Sequence, residues 1–300
     1  MSGPSQVRGP QQPALLQETI GDCLRRIATL HAEREALVSC HQDVRLTYGE
    51  LDAEVDRLAG ALLTAGLEPG DRVGIWSPNC VEWTLIQLAT ARAGIILVNV
   101  NPAYRTSELV YALNQSGCRM LLAARAFKTS DYAAMVDEVR RELRTLEEVV
   151  FLGEASWDAL LAGGRDDVAW PDLAPTDPIN IQYTSGTTGM PKGATLSHRN
   201  ILNNGYFVGE GCRYTEADRI CIPVPFYHCF GMVMGTLAAI THGARRVCER
   251  MHMSDVAICS AWCRWSPART RTPRPSATTA ARGSPATRSP GASGSSTSSR

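Results

Sequence analysis

At 300 residues, 44% of them hydrophobic, the chain is long enough for one large or two average domains and apolar enough for a sizeable core, which excludes a wholly disordered protein. Thirty basic and thirty acidic residues cancel, so net charge gives no ground for expecting nucleic acid or an anionic membrane as partner. The balance is uneven along the chain: every acid lies at or before Asp255, and only two lysines, Lys128 and Lys192, stand among the many arginines. Ten cysteines with no C-x-x-C pair fit buried, reduced thiols in a cytosolic protein. Residues 1–13 hold no apolar signal run, and no stretch reaches the roughly eighteen uninterrupted apolar residues of a spanning helix. A cytoplasmic protein without a transmembrane segment is expected.

In chain order, Leu15, Ile20, Leu24, Ile27 and Leu30 recur at helical spacing. Thr47 and Glu50 form an S/T-x-x-E capping box that opens a second helix, with Leu51, Val55, Leu58, Leu62 and Leu63 on its apolar face and Gly66 at its end. RVGIW (72–76) reads as a strand, 81–92 as a helix and IILVNV (95–100) as a strand, a unit with a parallel-sheet signature. Helices over 107–114 and 131–143 precede strands at 120–124 and near EEVVFL. INIQY (179–183) is a strand, Ser197 and His198 open a helix, a strand lies at 220–224 and a helix at 232–241. The alternation predicts an α/β fold, a mostly parallel sheet flanked by helices, whose ligands bind in loops beyond the carboxyl ends of strands.

TSGTTGMPKG, residues 184–193, occupies such a loop. Its glycines free the backbone to wrap an anion, its hydroxyls and N–H groups can face phosphate oxygens, and Lys192 adds one full positive charge in a chain nearly without lysine. Gly193 follows the lysine where a Walker loop needs Ser or Thr, and no G-x-G-x-x-G occurs. The bland alternative is a flexible Ser/Gly connection. Downstream, FYHCFG (226–231) places His228 after two aromatics; as a lone histidine it fits a structural role better than a functional one. Tyr227 and Phe230 divide evenly between pocket wall and core, and core packing is the default for Trp76, Trp83, Met232 and Met234.

Residues 183–200, YTSGTTGMPKGATLSHRN, resemble the phosphate-binding signature of the adenylate-forming superfamily, and LTYGELDAEVDRLAGAL, GDRVGIWSPNCVEW, AGIILVNVNPAY and PVPFYHCFGM agree with it in order. The combination is most similar to medium-chain acyl-CoA synthetases and covers about residues 14–250. The resemblance implies ATP-dependent conversion of a carboxylic (fatty) acid to an acyl-adenylate and then acyl-CoA. ATP, Mg²⁺ and coenzyme A would be the small-molecule partners. Thr184, Ser185, Gly186, Thr187, Thr188, Gly189, Lys192 and Gly193 would hold the ATP phosphates. His228 would be the catalytic candidate beside the carboxylate, and no residue is assigned as a metal ligand.

The family's Y-G-x-T-E and T-G-D motifs and a later essential lysine do not occur in these 300 residues. The expected organisation is therefore a flexible N-terminus (1–13), an incomplete N-terminal domain of an adenylate-forming enzyme (14–250) and a disordered Arg/Ser/Pro-rich tail (251–300). The family text is expected to fail between about residues 244 and 255 through a frameshift, leaving a truncated, inactive fragment. The alternative is a non-catalytic nucleotide-binding remnant, or an interaction protein using its basic tail.

Overall fold

Helix starts in this chain are set by reciprocal caps. The Thr19 hydroxyl accepts from Asp22 N–H while the Asp22 carboxylate accepts from Thr19 N–H, opening α1 (Ile20–His31). Between α1 and the next helix lies a hairpin that periodicity did not reveal, β1 (Glu35–Ser39) and β2 (Val44–Thr47). The expected Thr47–Glu50 box then opens α2 (Tyr48–Thr64). The computed structural model describes residues 12–165, 167–184 and 191–248. The expected tail and nearly all of the expected flexible N-terminus lie outside them.

The chain continues through β3 (Arg72–Trp76), α3 (Val81–Ala93), β4 (Ile96–Asn99), α4 (Thr106–Ser116), β5 (Met120–Ala123), β6 (Ala126–Phe127), β7 (Ser130–Asp131), α5 (Tyr132–Val139) and β8 (Glu148–Phe151). After α6 (Ala155–Ala162) come β9 (Pro178–Thr184), β10 (Lys192–Ser197), α7 (His198–Cys212) and β11 (Arg219–Ile222). A π-helix (Phe230–Leu237), α8 (Ala238–Thr241) and β12 (Arg245–Cys248) complete the described chain.

Two principal sheets form where one was expected. The larger has the order β10-β9-β4-β3-β5-β8, parallel except for β10, which runs antiparallel to β9. The smaller has the order β11-β12-β1-β2, with β12 parallel to both β11 and β1. β12 shows that the packed fold runs to at least Cys248, within the expected 14–250 domain. Val247 is buried there, and the buried Tyr48 hydroxyl donates to Ala244 O at 2.7 Å.

Helix α3 is buried on nearly every face, as a helix apolar all round must be. Its one guanidinium, Arg92, donates to Asp52 Oδ1 at 2.5 Å, to Asp56 Oδ1 at 2.6 Å and to the Gly21 carbonyl at 3.1 Å, joining α1, α2 and α3. The α1 stripe is narrower than its spacing suggested. Leu15 precedes the helix and Leu30 is exposed, while Ile20, Leu24 and Ile27 are buried. Trp76, Trp83 and Met232 are core, but Met234 and Phe230 are exposed, because the π-helix turns them away from the packed face. The thiols are mixed: Cys23 and Cys118 are buried, Cys40 and Cys212 are exposed, and Cys221 is disulfide-bonded, so uniform burial in the reduced state does not hold.

His198, the first residue of α7, is fully buried, and its Nδ1 accepts from Ile20 N–H at 3.2 Å. Burial pulls its pKa from 6.5 down to about 4, against the opposing pull of the carboxylates of Asp177 and Asp22. The unfolded chain therefore binds this proton more readily than the folded one. Stability is greatest above pH 6.5 and falls by up to about 3 kcal/mol as the pH drops to 4. His198→Asn keeps an acceptor for Ile20 N–H and does not titrate, so urea unfolding between pH 7 and pH 4 should show a shallower loss in the variant. Arg92→Met leaves Asp52 without a partner, and urea unfolding at pH 7 should show a loss of about 3 kcal/mol.

Candidate active site

Both ends of the glycine-rich stretch lie on neighbouring antiparallel strands. Thr184 ends β9, Lys192 begins β10, and the two are ladder partners. Ser185, Gly186, Thr187, Thr188 and Gly189 lie outside the described residues. Lys192 and Gly193, expected in a loop, are instead strand residues, because the β9 ladder captures the chain as soon as it returns. Since β9 runs parallel to β4, Thr184 sits at the carboxyl end of the parallel strands, where open α/β sheets bind ligands.

Side chains of Thr184 and Lys192 are both exposed, and the Thr184 hydroxyl reaches the Lys192 carbonyl at 3.5 Å. Gly193 faces Tyr183 across the ladder, and a Cβ there would stand 3.1 Å from Ile181 Cγ2 and 3.4 Å from the Tyr183 ring. Glycine lets the strand lie flat on β9 immediately beside the lysine. Two tyrosines fasten this hairpin to α4. Tyr183 donates to the Ala112 carbonyl at 2.9 Å, and Tyr111 donates to the Pro191 carbonyl at 3.0 Å.

His228 lies in the connection between β11 and the π-helix and is exposed. Its Nδ1 accepts from Phe230 N–H at 3.2 Å, which places the ring proton on Nε2. Its carbonyl accepts from Gly231 N–H at 3.0 Å and Met232 N–H at 3.2 Å. At Gly231 a Cβ would stand 2.3 Å from the Pro225 carbonyl oxygen, so only glycine allows this turn. Tyr227 is partly buried against the core, whereas Phe230 is exposed and is not a core residue.

The His228 segment is held by buried amides that sequence reasoning passed over. Asn79 Oδ1 accepts from Phe226 N–H at 2.8 Å, and its Nδ2 donates to Val224 O at 2.9 Å. At the end of β4, Asn99 Nδ2 donates to the Tyr227 carbonyl at 2.9 Å and to the Met232 sulfur at 3.0 Å. From β9, Gln182 Nε2 donates to the same sulfur at 3.1 Å, and Gln87 of α3 donates to the Met232 carbonyl at 3.1 Å. The structure thus ties both candidate segments, Thr184/Lys192 and His228, to the same ends of β4 and β9. The legible signal was an amide inside an otherwise apolar strand run, Asn99 in IILVNV and Gln182 in INIQY. No group of three His, Cys, Asp or Glu able to hold a metal occurs among the described residues.

Over residues 24–265 the chain matches the family of AMP-binding enzymes, and it belongs to that family. It is 42% identical over 273 residues to medium-chain acyl-CoA ligase ACSF2, mitochondrial, of Rattus norvegicus, an alignment covering 81% of this chain and 44% of the relative. The human protein of the same name is 41% identical with the same coverage. Acyl-CoA ligase SID4 of Ajellomyces capsulatus is 37% identical over 262 residues, covering 80% of this chain and 44% of that one. The chain spans less than half the length of the curated relatives it matches. Among solved structures, Mycobacterium smegmatis MbtA superposes with a TM-score of 0.72 at 28% identity, covering 82% of this chain and 46% of that one. The N-terminal domain of FACL13 from Mycobacterium tuberculosis shares the fold, with a TM-score of 0.72 at 24% identity and coverage of 82% and 60%.

Asn99→Ala removes the donor to the Tyr227 carbonyl and the acceptor of Asn180 Nδ2 in one change. The expected loss is about 2 kcal/mol of stability, with hydrogen exchange accelerated most in residues 227–236.

Proposed function

We propose that the protein activates a carboxylic acid with ATP. The acid's carboxylate oxygen attacks the α-phosphorus, pyrophosphate departs, and a thiol, that of coenzyme A, then attacks the acyl carbon and releases AMP. The observation that supports this most is the single lysine at the head of the β9–β10 hairpin, at the carboxyl end of the parallel strands. It shares its footing with the His228 segment, which the buried amides at the ends of β4 and β9 hold in place. A carboxylate is a weak nucleophile, so catalysis rests on positioning and on placing positive charge and donors against the phosphates.

In this reading Lys192, Thr184 and Gly193, with Ser185, Gly186, Thr187, Thr188 and Gly189, bind the β- and γ-phosphates. Gly193 suits that task because the hairpin lies flat there and the lysine beside it is exposed. Mg²⁺ would accompany the ATP phosphates and share their charge, and no protein ligand for it is assigned. His228 presents an Nε2 proton and sits beside the acid's carboxylate. The acid is proposed to be a medium-chain fatty acid, following the names of the relatives. The proposed compartment is the cytoplasm. The relatives' names place them in mitochondria, no helix among the described residues is long and apolar enough to cross a membrane, and fractionation decides between the two compartments.

A second reading concerns these 300 residues alone. Because they span 44% of the relative's length, nucleotide binding without sustained acyl-CoA formation is the expected behaviour. Calorimetric titration with ATP should show binding that Lys192→Ala weakens about ten-fold or more, the loss of a charge-assisted contact. Pyrophosphate release with medium-chain acids should stay near background. ATP binding indifferent to Lys192→Ala overturns the phosphate-clamp reading, and rapid acyl-CoA formation overturns the second.

A further inference from the structure

The Pro191 carbonyl lies one residue before the first ladder position of β10, Lys192, so it needs an acceptor's partner from elsewhere. Tyr111 supplies it, donating its phenolic hydrogen to Pro191 O at 3.0 Å. A phenol has only one hydrogen to give. Gln115, four residues on and on the same face of α4, donates from Nε2 to the Tyr111 oxygen at 2.7 Å and so commits that hydrogen to Pro191. Tyr183 from β9 packs edge-on against the Tyr111 ring, with centroids 6.4 Å apart, and reaches back to the Ala112 carbonyl at 2.9 Å. Tyr111 of α4 thus reaches the backbone just before β10, and Tyr183 of β9 reaches the backbone of α4. Burial pushes the Tyr183 phenol up to about 12, so that bond keeps its proton throughout the neutral range.

Resting on the phosphate-clamp reading, we infer that Tyr111 and Gln115 are positioning residues for Lys192. The relay Gln115 Nε2–H to Tyr111 O–H to Pro191 C=O fixes the peptide immediately before the lysine. It therefore sets the direction from which the ammonium meets the ATP phosphates. Neither residue touches the nucleotide. Their effect passes through one backbone carbonyl, and Gln115 acts only through Tyr111.

The chain offers a direct probe, since Lys128 and Lys192 are its only lysines. A lysine-specific protease reports opening at Lys192 with cleavage at Lys128 as the internal reference. In the full chain, Tyr111→Phe keeps the ring and removes the donor. It should raise cleavage at Lys192 relative to Lys128 several-fold and raise the Kd for ATP about five-fold, the effect of one ordinary hydrogen bond. Gln115→Ala should weaken ATP binding less, and the double variant should match Tyr111→Phe alone, as expected of residues acting in series. Unchanged ATP affinity in Tyr111→Phe overturns the positioning role, whether or not the cleavage ratio moves, and so does strict additivity in the double variant. Lys192→Ala, measured alongside, separates the two failures. If it weakens ATP binding and Tyr111→Phe does not, the clamp stands without the relay. If it changes nothing, the clamp reading itself falls, and the cleavage ratio still reports whether Tyr111 anchors the hairpin.

Discussion

The arrangement depends most on a row of amides buried where β4 and β9 run side by side. Asn180 donates to the Leu97 carbonyl and to Asn99 Oδ1, both at 2.9 Å, and Asn99 then passes its own donors to Tyr227 O and the Met232 sulfur. Buried amides without partners would cost several times what a made hydrogen bond contributes. The amide donors of the row are matched in this placement of the chain that follows β11, whereas Asn180 Oδ1 is buried without a partner. Hydrophobic contact alone could let the Phe226–Met232 stretch slide against the sheet. Directional bonds to the Tyr227 carbonyl and the Met232 sulfur cannot follow such a slide.

The same logic appears in the charges that fold inside. Arg92 is buried, yet it bonds Asp52, Asp56 and the Gly21 carbonyl, so a cation in a fully buried helix becomes the junction of three helices. Arg246, in β12, is buried as well. It donates to the Thr236 hydroxyl at 2.9 Å and lies 5.3 Å from the centroid of the Phe226 ring. It joins the smaller sheet to the π-helix and to the aromatic that precedes Tyr227 and His228. The site is thus framed from both sheets, although its candidate residues come from two short stretches of sequence.

Much of this was legible in the residues. The Thr47 box and the RVGIW and INIQY strands follow from local patterns that one segment can satisfy by itself, and the alternation of such segments implied a mostly parallel sheet. The β1–β2 hairpin, the β10 strand and β12 escaped notice for a shared reason. KGATLS carries almost no apolar alternation, and RRVC begins with two arginines. Each is a strand because a neighbour offers an unfilled ladder. The π-helix was invisible for a similar reason, since its altered pitch leaves Met234 exposed where core packing was the default.

By itself the sequence determined the α/β class, the resemblance to adenylate-forming enzymes and the identities of the candidate residues, because these are carried by composition, periodicity and short contiguous motifs. Tertiary structure alone decided that the chain returns as a strand at Lys192, that Asn99 and Gln182 meet at Met232, and that Tyr111 reaches Pro191, eighty positions away. Those contacts join residues far apart in the chain. No local pattern encodes them, since each depends on a sheet order fixed only when distant strands pair.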